Sequence, residues 1–337
     1  MRAGTASAER GRVLALCGGV GGAKLALGLY STLAAGRLTL LVNTGDDFEH
    51  LGLHISPDLD TVLYTLAGLS DPERGWGRAE ETWNFMSALG QFGGDTWFAL
   101  GDRDLALHVE RTRRLRAGES LTAVTAELAR RLKVTAVIVP MTDDAVRTIV
   151  HTREGPLPFQ QYFVRQRCEP VIDRISFPGA GKARPNPAVL AALADPELAA
   201  IVICPSNPYL SVDPILAVPG IRDALRQAVV PVIAVSPIIG GQAVKGPTAK
   251  IMAELGIVNT SAAIAEHYRG LIDGLMIDAA DGAEAAGVGS TGIAVELAPT
   301  LMQSLADRQR LAAVVLAFAE RLAGEVKTAR VRAKGET

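Results

Sequence analysis

The chain has 337 residues, of which 48% are hydrophobic and 21% are charged, and its formal net charge is −2. This length allows one large domain or two modest ones with an ample core, and the composition is typical of a globular protein. The small net charge excludes a global basic field that would attract nucleic acid, and the longest apolar runs are too short and too often broken by proline to span a bilayer. The sequence therefore predicts a protein that acts on small molecules, with neither nucleic acid nor a membrane as partner.

The two ends of the chain and its cysteines carry further expectations. Residues 1–12 lack the apolar segment of a secretory signal and are interpreted as a disordered leader, and the basic segment 326–337 as a disordered tail. Cys17, Cys168 and Cys204 are an odd number without C-x-x-C spacing, so we expect neither a disulfide framework nor a zinc site. This cysteine usage favours a reducing, cytoplasmic location.

Six nearly continuous apolar runs predict buried strands of a parallel sheet, because helices cover both faces of such a sheet. The runs are 13–17, 38–42, 134–139, 199–204, 230–235 and 272–277. Helical patterns lie between and after them, at 22–35, 58–69, 120–132, 187–194, 219–228, 247–255, 260–269 and 302–323. This alternation predicts a doubly wound α/β fold with a mostly parallel sheet, in a single domain over residues 13–325.

Two regions depart from the alternation of strands and helices. Residues 146–187 contain β-prone runs, a Glu-Gly-Pro turn and few helical signals, which predicts a small antiparallel insertion. Residues 71–103 form a second insertion, which contains all three tryptophans, at positions 76, 83 and 97. Both insertions are expected to interrupt a single domain rather than to form domains of their own.

The segment VLALCGGVGGAK, at 13–24, joins the first predicted strand to the first predicted helix. Its four glycines are Gly18, Gly19, Gly21 and Gly22. Such a turn is typical of a phosphate site, because a Cβ would keep the phosphate away from the backbone and from the helix N-terminus. Neither standard fingerprint is complete, since the third glycine of G-x-G-x-x-G would fall on Lys24, and the P-loop ending G-K-[ST] is replaced by Gly22-Ala23-Lys24-Leu25. A β–α turn without a ligand stays open as the alternative.

Polar loops follow four more of the predicted strands, at 43–47, 140–144, 205–208 and 236–241. Each loop alone is also typical of an ordinary turn. The carboxyl ends of parallel strands meet at one edge of the sheet, where doubly wound folds bind ligands. Five such loops at one edge therefore predict a ligand crevice.

Four carboxylates, Asp46, Asp47, Asp58 and Asp60, lie within fifteen residues just after the second predicted strand. They would repel one another unless a cation or a proton lay among them, and Mg²⁺ prefers such oxygen ligands together with phosphate. Two of these carboxylates have alternative interpretations: Asp58 complements the start of its own helix, and Asp47 is solvated. Asp46 and Asp60 are therefore the favoured magnesium ligands.

Other polar residues narrow the reaction class. Arg103 is interpreted either as a phosphate contact or as a surface salt bridge at a helix start. His108 and His151 lack a recognisable partner and are interpreted as structural or surface residues. No G-x-S-x-G motif is present. Glycines for phosphate and carboxylates for magnesium, without a nucleophilic triad, indicate phosphoryl or nucleotidyl transfer.

These motifs resemble the 2-phospho-L-lactate transferase family (CofD/FbiA) of coenzyme F-420 biosynthesis. The resemblance covers about residues 13–320 and rests on the blocks GGVGGAK, NTGDDFEHLGLHISPDLDTVLY, LGDRD, PMTDD, PSNPYLS and SPIIGGQAVKGP, in this order. It implies a Rossmann-like homodimer that requires Mg²⁺. It also implies transfer of a phosphorylated three-carbon acid from a guanosine diphosphate-linked donor to the ribityl hydroxyl of Fo (7,8-didemethyl-8-hydroxy-5-deazariboflavin), with release of GMP.

The resemblance also implies roles for individual residues. The donor phosphate and nucleotide would contact Gly18, Gly19, Gly21, Gly22, Lys24, Ser206, Asn207, Ser236, Gly240 and Gly241. Fo would contact Asn43, Asp60, Trp97, Ala99, Gly101 and Thr142, with Trp83 also near the ring. Asp46 and Asp60 would bind Mg²⁺ or position the ribityl hydroxyl, and one of them would accept its proton.

Several alternatives stay open at this point. The acid is 2-phospho-L-lactate, phosphoenolpyruvate or 3-phosphoglycerate, because a single side chain can decide among them. A related regulatory group binds a nucleotide sugar without catalysis, but the continuation FEHLGLHISPDLDTVLY after the paired aspartates favours the transferase. An NAD-dependent dehydrogenase is disfavoured, since the glycine fingerprint is incomplete and Asn43 stands where an acidic ribose ligand is expected.

Overall fold

The computed structural model describes residues 11–72, 74–243 and 246–335. Its strands are β1 (Arg12–Cys17), β2 (Leu38–Val42), β3 (Phe48–His50), β4 (Leu53–Ile55), β5 (Val137–Pro140), β6 (Ile149–Thr152), β7 (Gly155–Pro158), β8 (Ile172–Ser176), β9 (Leu198–Ile203), β10 (Val232–Val235), β11 (Ile238–Ile239), β12 (Gln242–Ala243), β13 (Gly274–Asp278) and β14 (Ala294–Ala298). Its α-helices are α1 (Gly19–Thr32), α2 (Pro57–Leu66), α3 (Asn84–Gln91), α4 (Asp102–Arg116), α5 (Leu121–Arg131), α6 (Pro187–Leu193), α7 (Asp213–Ala217), α8 (Ile221–Gln227), α9 (Thr248–Glu254), α10 (Ser261–His267), α11 (Ala285–Gly289) and α12 (Leu305–Gly335). Short π- or 3₁₀-helical turns lie at Gln161–Arg165, Ala180–Lys182, Pro208–Val212 and Ala279–Glu284.

Seven parallel strands form the main sheet, in the order β14-β13-β10-β9-β1-β2-β5. The chain builds outward from β1 through β2 to β5, and then returns to the other side of β1 to add β9, β10, β13 and β14. The strand order therefore reverses between β1 and β9, which is the switch point where open α/β sheets bind ligands. The predicted Rossmann-like α/β fold is confirmed.

The alternating side chains of β1 join two hydrophobic clusters, one on each face of the sheet. Leu14 and Leu16 belong to one cluster, whereas Val13, Ala15 and Cys17 belong to the other. All five residues are at most 1% exposed. The run is continuously apolar because both of its faces are buried. Truncation of a leucine at such a position to alanine typically costs about 2–5 kcal/mol of stability.

Each of the six predicted apolar runs overlaps a strand of the main sheet, but the strand β14 and the helices α3, α4, α7 and α11 were not predicted. The strand β14 lies at the edge of the sheet and is mostly half-buried, so its sequence AVELA lacks a long apolar run. The helix α4 carries many charges, which conceal its narrow buried face. No helix among the described residues is long and apolar enough to cross a membrane.

The two insertions differ in structure. Strands β7, β6 and β8 form a three-stranded antiparallel sheet, which confirms the antiparallel insertion predicted over 146–187. The insertion at 71–103 consists of α3 and loops. It contributes Trp83, Met86 and Leu100 to a small apolar cluster with Ile55.

Parts of the predicted leader and tail belong to regular secondary structure. Arg12 already belongs to β1, whereas residues 1–10 of the predicted leader lie outside the described residues, as do 336–337 of the tail. Residues 326–335 of the predicted tail belong to α12, which continues to Gly335. Arg330 anchors this last part through two hydrogen bonds of 2.8 Å to Asp273 and one of 3.0 Å to the carbonyl of Val230.

The register of the sheet brings the loops after its central strands to one edge. Cys17 at the end of β1 pairs with Val42 at the end of β2, and Leu16 pairs with Ile203 at the end of β9. The glycine turn, the acidic loop after β2 and the loop after β9 therefore begin side by side.

Candidate functional site

A cavity of about 590 Å³ opens at this edge of the sheet, over the switch point between β1 and β9. Ligand pockets typically have volumes of about 300–1,000 Å³. The predicted residues that line the cavity are Gly18, Gly19, Gly21, Lys24, Asn43, Asp46, Asp60, Trp97, Ala99, Ser206, Asn207 and Ser236. The predicted residues Gly22, Gly101, Thr142, Gly240 and Gly241 are not among its lining residues.

The glycine turn fits tightly against the loop after β9. Ser206 Oγ accepts a hydrogen bond of 3.0 Å from the N–H of Gly18 and donates one of 2.8 Å to the Gly18 carbonyl. A Cβ at Gly21 would overlap the carbonyl oxygen of Pro205, and a Cβ at Gly22 would overlap Ser206 Oγ. These glycines are thus required by the protein's own packing, whether or not a phosphate also approaches them.

A buried carboxylate meets the start of α1. The N–H of Gly19, which has a positive φ of 63°, donates to Asp58 Oδ1 at 2.6 Å, and Asn43 Nδ2 donates to Asp58 Oδ2 at 2.9 Å. Burial raises the pKa of Asp58 to about 6, although both hydrogen bonds favour its charged form, and the charge of Asp47 adds to the rise. Asp58 therefore complements the N-terminus of α1 rather than that of its own helix α2.

Asp46 lies beside this carboxylate and shares the same amide. Asn43 Nδ2 donates to Asp46 Oδ1 at 3.2 Å, and Gln160 Nε2, from the antiparallel insertion, donates to Asp46 Oδ2 at 3.3 Å. Burial, followed by the negative charges of Asp58 and Asp47, raises the pKa of Asp46 well above its usual range. Among the described residues, the side chains that donate hydrogen bonds to Asp46 are these uncharged amides, so a divalent cation or a proton would relieve the concentrated negative charge.

Asp60 has a different environment, because a buried arginine holds it. Arg111 Nη1 donates to Asp60 Oδ2 at 3.0 Å, and Arg111 Nη2 donates to Asp60 Oδ1. His108 Nδ1 lies 3.3 Å from Arg111 Nη1, and His108 Nε2 lies 3.3 Å from Asp104 Oδ1. Tyr64 donates its phenolic proton to the same Asp104 oxygen at 2.6 Å. Asp60 is thus the end of a buried polar chain that runs between α2 and α4.

Four members of this chain, on α2 and α4, were missed from the sequence, where His108 was interpreted as structural or surface. It is 2% exposed and lines the cavity together with Tyr64 and Asp104. Asp104, His108 and Arg111 stand at i, i+4 and i+7, which places them on one face of a helix. That spacing, matched by Asp60 and Tyr64 at i and i+4 on α2, is the signal that would have found them.

The two carboxylates favoured as magnesium ligands, Asp46 and Asp60, do not fit a cation equally well. Mg²⁺ typically takes one or two carboxylates together with water and phosphate oxygens. Within the described ranges, no group of three or more His, Cys, Asp or Glu side chains is arranged to hold a metal ion. Asp46 fits a cation shared with a bound phosphate, because it lines the cavity and the side chains that donate hydrogen bonds to it in the described part of the chain, Asn43 and Gln160, are uncharged. Asp60 does not fit, since both of its oxygens accept hydrogen bonds from Arg111.

The side chains after β9 and β10 are largely engaged within the protein. Asn207 caps its own turn by accepting from the N–H groups of Tyr209 and Leu210, and its amide donates to Thr248 Oγ1 at 3.0 Å. Ser236 Oγ lies 3.0 Å from Ser261 Oγ. These loops therefore present shape and backbone to the cavity more than free side-chain donors.

The predicted residues outside the cavity have structural partners. The N–H groups of Gly240 and Gly241 donate to the two carboxylate oxygens of Asp281 at 2.9 and 3.0 Å. Thr142 Oγ1 donates to the carbonyl of Arg184 at 2.7 Å. Gly101 packs closely against the side chain of Glu81.

Arg103, the candidate phosphate contact of the sequence analysis, forms a surface ion pair instead. Its Nη1 lies 2.8 Å from Glu80 Oε2, and the side chain is half exposed. The alternative of a surface salt bridge at the start of a helix is therefore the one that the structure supports.

Aromatic side chains from both insertions border the cavity. Trp97 belongs to a cluster with Phe48, His50 and Phe98, whose ring centroids lie 5.2–5.9 Å from its own. The insertion at 146–187 adds Phe159 and its stacked neighbour at 163, with centroids 5.2 Å apart. Such walls suit a planar ring.

Trp83, which was predicted near that ring, has another role. The guanidinium of Arg74 lies 4.6 Å from the centre of the Trp83 ring, in a cation–π contact. Arg74 and Trp76 line the cavity, whereas Trp83 is not among the lining residues. Trp83 therefore supports the segment that borders the cavity.

The family model described as 2-phospho-L-lactate transferase CofD matches residues 13–290. Curated relatives named phosphoenolpyruvate transferase match over nearly their whole length. The Streptomyces coelicolor protein is 41% identical over 315 residues, covering 92% of this chain and 98% of the relative. The Streptomyces avermitilis protein is 42% identical over 323 residues (94% and 99%), and the Mycolicibacterium smegmatis protein is 38% identical over 327 residues (91% and 97%).

Among solved structures, the chain resembles protein BH3568 of Bacillus halodurans, a member of the UPF0052 family. The TM-scores are 0.62 and 0.58 in two crystal structures, at 17% identity, with coverage of 91% of this chain and 99–100% of the other. At this identity the likeness shows the fold alone. The family model and the curated relatives go further: the chain belongs to the 2-phospho-L-lactate transferase (CofD) family of transferases.

Proposed function

We propose that the protein transfers a phosphorylated three-carbon acid from a guanosine diphosphate-linked donor to the ribityl hydroxyl of Fo, releasing GMP, in coenzyme F-420 biosynthesis. One observation carries the proposal: the glycine turn, the buried aspartates and the aromatic walls border a single cavity. A diphosphate donor, a reacting hydroxyl and a planar acceptor need these three kinds of surface within reach of one another.

The donor is proposed to lie along the β1–β9 side of the cavity. Its diphosphate would meet the first turn of α1, where Gly19 to Gly21 and Lys24 line the cavity and the helix dipole favours negative charge. The nucleoside would lie against the loops after β9 and β10, which offer mainly backbone and shape.

Fo is proposed to lie on the opposite side, with its ring beside Trp97 and Ala99 and its ribityl chain directed to Asp60. The ribityl hydroxyl attacks the phosphorus that carries the acid, a new O–P bond forms, and the bond to GMP breaks. Asp60 accepts the hydrogen bond of the hydroxyl and takes its proton as the O–P bond forms. Catalysis comes mainly from positioning and from neutralised charge.

Mg²⁺ is the proposed cofactor, with Asp46 as its protein ligand and phosphate oxygens completing the site. When bound, it would neutralise charge that develops on the phosphate oxygens. The raised pKa of Asp46 supports this assignment, because the excess negative charge around that carboxylate favours a cation.

Phosphoenolpyruvate is the proposed acid, since the curated relatives that are 38–42% identical carry the name phosphoenolpyruvate transferase. We also propose a cytoplasmic homodimer, for which light scattering after gel filtration is the direct test of the oligomeric state.

The deciding experiment incubates the purified protein with Fo, Mg²⁺ and each of the lactyl, enolpyruvyl and glyceryl donors, and identifies the products by mass spectrometry. We expect a phosphoenolpyruvyl-Fo product with GMP in equal amount, and none when a chelator replaces Mg²⁺. Binding of nucleotide sugars is measured in parallel. Saturable nucleotide-sugar binding without any product from the three donors would favour the regulatory alternative and contradict the transferase.

A further inference from the structure

The carboxylate of Asp60 is already paired with a cation of the protein itself, the guanidinium of Arg111. The two nitrogens at the end of Arg111 each donate to one oxygen of the carboxylate. The side chains of Arg111 and Asp60 are 2% and 8% exposed, so little water competes for the pair. A bidentate pair of this kind fixes both the charge and the orientation of the carboxylate.

The arginine is itself fixed by its neighbours. A guanidinium can only donate, so His108 Nδ1 accepts from Arg111 Nη1 at 3.3 Å, which assigns the imidazole proton to Nε2. That nitrogen faces Asp104, whose oxygen also accepts from Tyr64. Although burial alone would raise the pKa of Asp104, His108, Tyr64 and Arg111 together hold it below its usual range. The contact with His108 therefore fixes the guanidinium of Arg111 beside Asp60, and the carboxylate of Asp104 lies on the other side of the imidazole.

We propose that Arg111 takes the place of a metal ion at Asp60, so that Asp60 accepts the substrate hydroxyl and does not ligate Mg²⁺. The identity of the hydroxyl rests on the proposed function, but the ion pair does not. Arg111 is not among the residues that line the cavity, so it acts through Asp60 as a positioning residue.

The lone pairs of the carboxylate allow this division of roles. An ionised carboxylate offers about four acceptor positions, and Arg111 uses two of them. Asp60 also lines the cavity, so the remaining positions are available to a hydroxyl donor there. A divalent cation at the same oxygens would lie close to the guanidinium and be repelled by it.

Binding of Mn²⁺ to the substrate-free protein, followed by the electron paramagnetic resonance of the free ion, tests the proposal without any transfer reaction. Asp46→Asn is expected to lower the Mn²⁺ affinity about tenfold or more. Arg111→Gln is expected to raise it about tenfold above the wild type, because the released Asp60 carboxylate becomes a further ligand. A merely structural role for Arg111 would not produce a gain of metal binding.

The double variant Asp60→Asn/Arg111→Gln keeps the proposal testable if a single variant fails to fold. It replaces the buried charged pair with an uncharged amide pair that can still hydrogen bond. We expect its Mn²⁺ affinity to stay within about twofold of the wild type, because no native ligand is lost. An unchanged affinity in folded Arg111→Gln, or a loss in the double variant as large as that of Asp46→Asn, would overturn the proposal.

Kinetics add a second readout with a conservative change. Arg111→Lys keeps the charge but loses the bidentate contact, so kcat is expected to fall about tenfold while the KM of the donor stays unchanged. A fall in donor binding with unchanged kcat would contradict a positioning role. Absence of product from the wild type with every donor would instead count against the proposed function, and the Mn²⁺ result would stand on its own.

Discussion

The two sides of the cavity use polar side chains in opposite ways. Beside β9 and β10, the polar side chains form hydrogen bonds within the protein, as seen for Ser206, Asn207 and Ser236. Beside β2 and α2, buried carboxylates such as Asp46 and Asp60 face the cavity. The first side, formed by the glycine turn and the loops after β9 and β10, offers mainly backbone to a ligand, and we call it the backbone wall. The second side is a charged surface. A ligand is therefore expected to be recognised by shape on one side and to react on the other.

The charged side is itself divided. Asp60 has a cationic partner in Arg111, whereas Asp58 is held by the N–H of Gly19 and the amide of Asn43. Removal of these two carboxylates, although they are close in sequence, is therefore expected to change the stability of the protein in opposite directions. Loss of Asp60 leaves a buried cation without its partner, and loss of the charge on Asp58 relieves an electrostatic cost.

Asp60→Ala is expected to have the largest effect on both activity and stability. Transfer should fall by about 10²–10⁴-fold, the usual contribution of a group that takes a proton in the reaction. Stability should also fall by about 3–5 kcal/mol, because Arg111 is left buried and unpaired. Steady-state kinetics and urea denaturation measure the two effects, with the exposed Asp173→Ala as the matched control. Turnover close to the wild type would contradict the role of Asp60, and unchanged stability would contradict the ion pair.

Gly21→Ala tests how closely the backbone wall is packed. The added Cβ would overlap the backbone oxygen of Pro205, so we expect a loss of about 1–3 kcal/mol of stability and weaker donor binding, with kcat less affected. The control is Gly324→Ala on α12, where nothing lies within 4 Å of the added Cβ. It should raise stability by about 0.5–1 kcal/mol. A harmless Gly21→Ala would show that the glycine turn is not tightly fitted.

The sequence predicts most of this architecture because buried parallel strands have a signature of their own. Both faces of β1 are covered, so its residues are continuously apolar and its end is marked by glycines. The same reasoning fails for β14, whose edge position leaves it half-buried. It also fails for α4, where the residues that face the site are charged and resemble a solvated surface.

The sequence predicts which strand-end loops border the candidate site, but it does not predict the hydrogen-bond partners of the residues in them. The sequence places Ser236 and Gly240 after a strand end, yet it does not reveal that Ser261 and Asp281 take their hydrogen bonds. Such partners come from distant parts of the chain, and only the folded packing brings them together. For the same reason the sequence offers Asp60 as a metal ligand, since its buried counter-ion lies about fifty residues away on another helix.

Asp58→Asn tests the charged side through pH. The pKa of Asp58 is raised to about 6 by burial, so the folded protein resists its ionisation and loses stability as pH rises from about 4 to 6. Asparagine removes this loss and can still accept from Gly19. In chelator, the variant should therefore gain stability relative to the wild type by roughly 1 kcal/mol more at pH 8 than at pH 5. Urea denaturation at the two pH values measures this, and an equal difference at both would refute the raised pKa.

Ser236→Ala is expected to have the smallest effect on activity, and it tests the backbone wall at the level of one side chain. Its hydroxyl contacts Ser261 Oγ and accepts from the N–H of Ile238, so the change removes internal hydrogen bonds worth about 0.5–1.5 kcal/mol each. Because the loop after β10 is also held by Asp281 through Gly240, we expect the donor KM to rise less than about tenfold, with kcat unchanged. Isothermal titration with GDP measures the same affinity without turnover. Complete loss of GDP binding in a variant that is still folded would mean that the Ser236 hydroxyl contacts the nucleotide directly, and the two sides of the cavity would then not differ in the way described.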